Sequence, residues 1–394
     1  MQYTFSDKVR SLAPSAIREI LKFTSMPGVI SFAAGNPAPE AFPVDEVRQI
    51  TAEIMRDNPI DALQYSITEG YTPLRNTVSA YMRSVHHTGT EQDGLIITAG
   101  AQQVMDLTCK SLCNEGDTVI CEAPTFIGTL NAFRSYNVHL CGVDMEPDGI
   151  NLEQLEHAMK TEKNVRMLYT IPNFQNPSGI TMSLEKRKAV YTLAKKYGVI
   201  IVEDNPYGEI RFEGETIPNI KSFDTDGLVV YAGSFSKVLA PGLRLGYAIA
   251  PKELLSKVIV CKQVADVHST ILAQMIAHRF MTEYDFAAHL QRIRKIYYHK
   301  AHLMMDLADQ LFDGKITYHP VQGGLFLWCA LPDGVDMMEF CTRAVQQKVA
   351  VVPGNAFLVD ESLPCQNFRM NFSTPTDEQL EQGMQILGRL SAEL

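Results

Sequence analysis

The sequence predicts an α/β fold, with a large mixed or parallel sheet covered by helices and a smaller α+β domain beside it. Two observations predict it. In the middle third of the chain, short β-branched runs alternate with segments of helical periodicity. Several of those runs, such as residues 199–202, are apolar almost without interruption, as strands buried on both faces must be. After about residue 252 the pattern changes to long helices, which marks a second unit. The 394 residues leave room for about two domains of roughly 100–200 residues each.

The elements follow in order. Residues 95–98 (Leu-Ile-Ile-Thr) predict a strand, and Ala99-Gly100 turns it into a helix with Val104, Leu107, Thr108, Ser111 and Leu112 at helical spacing and Gly116 as its stop. Residues 119–121 predict the next strand. Ser183 caps a helix running to about Tyr197, with Glu185 in its first turn and Lys195, Lys196 and Gly198 as end signals. Residues 199–202, 228–232 and 245–249 are the buried strands. Residues 285–312 predict a long helix, on which Leu290, Ile293, Ile296 and Tyr297 recur at helical spacing. Strand-like pieces at 324–330 and 367–373 and a final helix from about 376 complete the chain. These shifts divide it into an N-terminal segment (1–45) that joins the smaller domain, a large domain (46–284) and a small C-terminal domain (285–394).

Composition narrows the function classes. Lys+Arg 35 against Asp+Glu 45 gives a net charge of −10, which argues against nucleic-acid and anionic-membrane partners, because both need a clustered cationic surface. The run Lys186-Arg187-Lys188 reads as a solvated helix face. No apolar run approaches the roughly 18–20 residues that span a bilayer. Asp7, Lys8, Arg10, Arg18 and Glu19 interrupt any apolar leader, so no secretory signal is expected. Eight cysteines without a Cys-x-x-Cys pair, several inside apolar stretches, predict reduced thiols in a cytoplasmic protein. His86-His87 has no partner at ligand spacing and reads as exposed loop; no metal site is expected.

In open α/β sheets, ligands bind beyond the carboxyl ends of the strands. Three predicted strand ends carry chemistry. Glu203-Asp204-Asn205-Pro206-Tyr207 puts a carboxylate at the sheet rim, where it either pairs with a buried cation or organises an Asx-Pro turn. Ser234-Phe-Ser-Lys237 places a lysine among small and apolar residues, and Arg244 follows seven residues on; a lone lysine there would be ordinary surface. Thr98-Ala-Gly-Ala-Gln102 starts a helix whose first amides suit a phosphate, although such turns are abundant. Together they supply an amine, an acid, a second cation and a phosphate cradle, the parts that hold pyridoxal phosphate.

The segment from Ser234 to Tyr247 resembles the lysine motif of class I/II aminotransferases of fold type I. Asn173-Phe-Gln-Asn176-Pro-Ser-Gly179 resembles that family's Asn-Pro-x-Gly loop, Asp204-Asn-Pro-Tyr207 its Asp-x-x-Tyr motif, and Phe368-Arg369-Met-Asn-Phe-Ser its carboxylate-binding arginine. Residues 31–43 and 63–70 resemble the branch of 2-aminoadipate/kynurenine aminotransferases.

The resemblance implies pyridoxal 5'-phosphate as cofactor and a homodimer with shared active sites. It makes Lys237 the lysine joined to the cofactor aldehyde and Asp204 the partner of the ring nitrogen, with Asn176 and Tyr207 at the ring hydroxyl and Phe126 stacked on the ring. The phosphate falls to Ala101 (where this branch commonly has serine), Gln102, Ser234, Ser236, Arg244 and the partner's Tyr65. Arg369, with Asn176 and Gly35 nearby, receives the substrate α-carboxylate. Ser15-Ala-Ile-Arg18 resembles a helix lying over the substrate, so residues 1–45 double as a lid and Arg18 either meets a distal carboxylate or faces solvent.

The residue types fit that chemistry. A free lysine at pH 7 is neutral only about once in a few thousand molecules, so its site must favour the neutral amine. Asp204 must stay ionised to keep the ring protonated, and Arg369 offers a two-pronged contact that a lysine cannot. The implied reaction is ping-pong transamination between an L-amino acid and a 2-oxo acid, glutamate and 2-oxoglutarate being one pair. The second substrate is 2-aminoadipate, an aromatic or a branched-chain amino acid. A C–S β-lyase or related lyase on the same fold stays open. Ser234-Phe-Ser-Lys237 also matches the Ser-x-x-Lys of penicillin-recognising enzymes, without their companion motifs. A cofactor-binding transcription regulator would call for a basic DNA-binding stretch, which is not seen.

Overall fold

The β-branched runs of the middle third pair into one eight-stranded sheet. The structure is a computed structural model that describes residues 3–10 and 28–394. A first short strand is β1 (Ile30–Ser31). The large sheet holds β2 (Asp93–Thr98), β3 (Thr118–Ala123), β4 (His139–Glu146), β5 (Gly149–Ile150), β6 (Val165–Thr170), β7 (Ile200–Asn205), β8 (Val229–Ser234) and β9 (Gly246–Pro251), in the order β2-β9-β8-β7-β6-β3-β4-β5. Strands β4, β3, β6, β7 and β8 run parallel, while β9 is antiparallel to both β8 and β2. The sheet is therefore mixed, and helices cover it, which explains why Ile201, Val202 and Val230 sit at the core without alternation.

This order brings the carboxyl ends of β2, β3, β6, β7 and β8 to one rim. Asp204 is in register with Ala232, and Tyr169 lies between Cys121 on one side and Val202 on the other. A second, antiparallel sheet of β10 (Thr317–Tyr318), β11 (Phe326–Ala330), β13 (Val352–Pro353) and β14 (Asn367–Asn371), ordered β10-β11-β14-β13, faces that rim and carries Arg369. The strand β12 (Val349–Ala350) takes β1 alongside it in parallel. The helices Phe286–Phe312 and Asp377–Ala392 pack along each other; Thr376 closes a capping box at the start of the second.

Three local expectations are corrected. Lys186-Arg187-Lys188 is a solvated face only at Lys188. Lys186 is buried against Glu146 and Asp148, and Arg187 is 0% exposed, its guanidinium donating to the carbonyls of Met182, Pro172, Ile217 and Pro218 and to Asn173 Oδ1. Those acceptors meet its donor capacity, so the charge sits inside and ties the helix Leu184–Tyr197 to the loop after β6. His86 ends the helix Thr72–His86 and lies 2.6 Å from Glu209, largely covered, while only His87 is exposed loop. Burial alone would raise the Glu209 carboxyl, but His86, Tyr81 and Arg294 together hold it below the usual range. The helix after β2 ends at Leu112 rather than at Gly116, which instead turns the chain into β3.

Candidate active site

At the rim, β2 runs through Thr98 into the helix Ala101–Leu112 by way of Gly100, whose φ of +81 is costly for any residue with a Cβ. A Cβ there would also stand 2.6 Å from Arg244 Nη2, and one on Gly246 would stand 2.6 Å from the Ala101 amide nitrogen. These two glycines let β9 and Arg244 press against the helix start. The first amides of a helix have no partner within it. The amides of Ala101 and Gln102, the hydroxyls of Ser234 and Ser236 and the Arg244 guanidinium therefore face one cavity and make a receptor for a dianion. The Gln102 side chain donates to Gly128 O at 3.0 Å, beside Phe126 at the start of the next helix.

The cavity encloses about 390 Å³. Lys237 reaches into it, with Nζ donating to Gly35 O at 2.7 Å. Burial, together with the positive fields of Arg369 and Arg244, pulls this amine down to about 8 from an ordinary 10.5. Opposite stands Asp204, buried and with no cation in contact among the described residues. Burial pushes its carboxyl up to about 7, against the hydrogen bond from Tyr169 and with help from the nearby Glu122. Oδ2 accepts from the Tyr169 hydroxyl at 2.8 Å, whereas the buried Oδ1 has no partner within the described chain. An orphaned carboxylate oxygen beside an easily neutralised amine and an anion cradle fits a ligand carrying a ring N–H, an aldehyde and a phosphate. The residues present fit pyridoxal phosphate.

Arg369 stands at the far wall. It is 3% exposed, yet no carboxylate pairs with it among the described residues. Its guanidinium is clamped between the Phe326 and Phe357 rings, 4.1 and 4.9 Å from their centroids. Nη1 donates to Asn176 Oδ1 and Nη2 to Ala33 O, both at 2.7 Å, while Nε has no partner among the described residues. Burial lowers its pKa to about 10, so the cation persists at neutral pH. A buried, oriented guanidinium with an unused edge is a carboxylate receptor.

Of the site residues expected from sequence, all but Tyr65 and Arg18 line this one cavity. Tyr65 is 81% exposed and lies edge-on to His268, away from the cavity; Arg18 lies outside the described residues. Sequence reasoning missed Phe326 and Phe357, and also Tyr169 and Glu122 behind Asp204. It further missed Gln175, whose amide donates to Glu122 and to Pro124 O and so joins the loops that carry Phe126 and Asn176. The strand Val165–Thr170 was not read from the sequence, and nothing in the strand expected at 119–121 marked which side chains near its end face the site.

The family model for aminotransferase class I and II matches residues 27–387. The chain belongs to that family. It is an aminotransferase of fold type I, dependent on pyridoxal phosphate. It is 36% identical over 387 residues to aromatic-amino-acid aminotransferase 1 of Thermococcus litoralis, covering 97% of this chain and 93% of that one. It is 38% identical over 378 residues to the 2-aminoadipate transaminase of Thermus thermophilus, covering 95% and 93%. The crystal structure of the Pyrococcus horikoshii kynurenine aminotransferase, solved in complex with PMP, superposes with a TM-score of 0.95 at 35% identity over 99% of this aminotransferase and 97% of that chain. No helix among the described residues is long and apolar enough to cross a membrane.

Proposed function

We propose that this aminotransferase moves an amino group between an L-amino acid and a 2-oxo acid by a ping-pong cycle. One pair is glutamate and 2-oxoglutarate, and the other substrate is 2-aminoadipate, an aromatic or a branched-chain amino acid. The observation that carries the reading is the convergence of Lys237 Nζ, the orphaned Oδ1 of Asp204 and the unused edge of Arg369 on one cavity. Both substrates bear an α-carboxylate, and among the described residues one buried arginine waits for it. Two substrates that need the same receptor must bind in turn, which is the structural root of ping-pong kinetics.

When bound, the cofactor supplies a cationic ring that draws electrons from the substrate Cα. The chain's own groups do the rest. Arg369 fixes the α-carboxylate, and Asn176 fixes Arg369. Lys237 Nζ takes the Cα proton and returns a proton on the other side of the exchange, which an amine near pH 8 does well in both directions. Asp204 holds the ring nitrogen's proton, and the Gly100 cradle holds the phosphate. Replacing Arg369 by lysine should raise KM for every amino and oxo acid by about 10- to 100-fold, because an ammonium loses the two-pronged contact and the clamp between two rings. Initial-rate kinetics check this; an unchanged KM would remove Arg369 from the role.

The exposed apolar side chains of Ile60, Leu63, Tyr65 and Val264 support a homodimer in which Tyr65 reaches the neighbouring subunit's phosphate cradle. The eight unpaired thiols support a cytoplasmic location. Residues 46–284 act as the large cofactor-binding domain and 285–394 as the small domain, to which the segment 1–45 contributes while serving as substrate lid. The test is a panel of half-reactions: each amino acid is mixed with the holoenzyme and the loss of the cofactor–lysine absorption is timed. Glutamate and 2-aminoadipate should react, and Arg18→Ala should slow these two while sparing leucine. Release of ammonia or pyruvate with no oxo acid present would favour a lyase and overturn the assignment.

A further inference from the structure

Asp204 is held from behind. On β6, between β7 and β3, Tyr169 is 0% exposed and donates its hydroxyl proton to Asp204 Oδ2 at 2.8 Å. The direction of that proton is fixed, because Thr129 Oγ1 donates to the same hydroxyl oxygen at 3.1 Å. The ring itself is pinned edge-on by Phe133, 5.6 Å between centroids. Among the described residues this hydroxyl is the one hydrogen-bond donor to Asp204.

The other titratable groups near Asp204 do not bond it. Glu122 on β3 accepts from Thr170 Oγ1, the Ile171 amide and Gln175 Nε2, and adds negative charge nearby. Tyr207 is turned toward Asn176, and Lys237 donates to Gly35 O. A carboxylate with one oxygen tied and the other untied cannot rotate freely, so the tie decides which oxygen faces the cavity.

We propose that Tyr169 is a positioning residue of this aminotransferase: by clamping Oδ2 it presents Oδ1 of Asp204 to the cofactor's ring nitrogen and helps keep that carboxylate ionised. The inference rests on the assignment of Asp204 above. It differs from a packing role, because the ring of Tyr169 would pack as well without its hydroxyl.

Tyr169→Phe keeps the ring and removes only the clamp. In the apo-protein, the carboxyl infrared band of Asp204, identified by its loss in Asp204→Asn, should titrate about one to two pH units higher. The dissociation constant of pyridoxal phosphate, measured by fluorescence titration of the apo-protein, should rise about tenfold. In an Asp204→Asn background the same Tyr169→Phe change should leave that constant where it was, since there is no carboxylate left to orient. An unmoved carboxyl titration, or an equal loss of affinity in both backgrounds, overturns the proposal for Tyr169. If Asp204→Asn alone does not weaken cofactor binding, the assignment of Asp204 fails first, and the inference falls with it.

Discussion

Replacing Lys237 by arginine should lower kcat roughly 10,000-fold while leaving the chain folded. Arginine keeps the positive charge and a comparable reach, but its guanidinium stays protonated at any pH the enzyme meets, so it can neither take the Cα proton nor bond to an aldehyde. The structure shows why this amine is easily neutralised. Burial, with Arg369 and Arg244 nearby, brings the Nζ amine down to about 8. Labelling of the apo-protein with an amine-reactive anhydride should therefore show Lys237, besides the α-amino group, reacting with a midpoint near pH 8, while exposed lysines follow at about 10.4. The same shift predicts a stability signature. Between about 8 and 10.5 the unfolded chain holds a proton that the folded chain has released, so this group's contribution to stability improves as pH rises through that window. Below 8 the folded apo-protein carries the full cost of a buried ammonium, about 3 kcal/mol from two and a half pH units. Apo Lys237→Met should thus be the more stable protein at pH 7, and the gap should close by about pH 10.5. Denaturant melts at the two pH values decide it.

What could be read in the sequence and what could not follows from where each signal lives. The strands β7 and β8 and the helix before β7 carry their own evidence in continuous apolar runs, caps and end signals, and they form within a few residues of where those signals put them. Lys237, Asp204 and Arg369 were legible because each sits in a run of residues whose order is itself distinctive. Tyr169 and Glu122 are invisible by the same standard. Each is a single polar residue inside a strand, and its meaning comes from the neighbour that the sheet order supplies, β6 between β7 and β3. Phe326 and Phe357 lie far apart in the chain and become a clamp only when β11 pairs with β14 and the turn after β13 folds beside them. Arg187 misleads for the opposite reason. Its sequence neighbourhood is basic and looks solvated, but loop carbonyls contributed from 172 to 218 pay for its burial.

Replacing Asp204 by asparagine should cost about a thousandfold in kcat, an electrostatic loss in a water-poor site, and yet stabilise the apo-protein. The two effects have one cause. Asp204 is buried beside Glu122 with, among the described residues, one hydrogen bond and no cation, and burial pushes its carboxyl up to about 7 from an ordinary 3.8. Between those values the folded chain keeps a proton that the unfolded chain has already lost. Stability therefore falls as pH rises across the window, and above about 7 the whole penalty, about 4 kcal/mol from three pH units, is present. Asparagine fills the same space, never ionises and avoids that penalty. Apo Asp204→Asn should melt higher than the wild type at pH 8, and the advantage should vanish toward pH 4. Adding pyridoxal phosphate should reverse the order at pH 8, because a cationic ring nitrogen compensates the carboxylate and gives asparagine nothing to compensate. Calorimetry of both proteins with and without the cofactor reads all four values. A wild type already more stable than Asp204→Asn in the apo form would mean that Asp204 has another partner inside the protein, and that the orphaned oxygen is not waiting for a ring nitrogen.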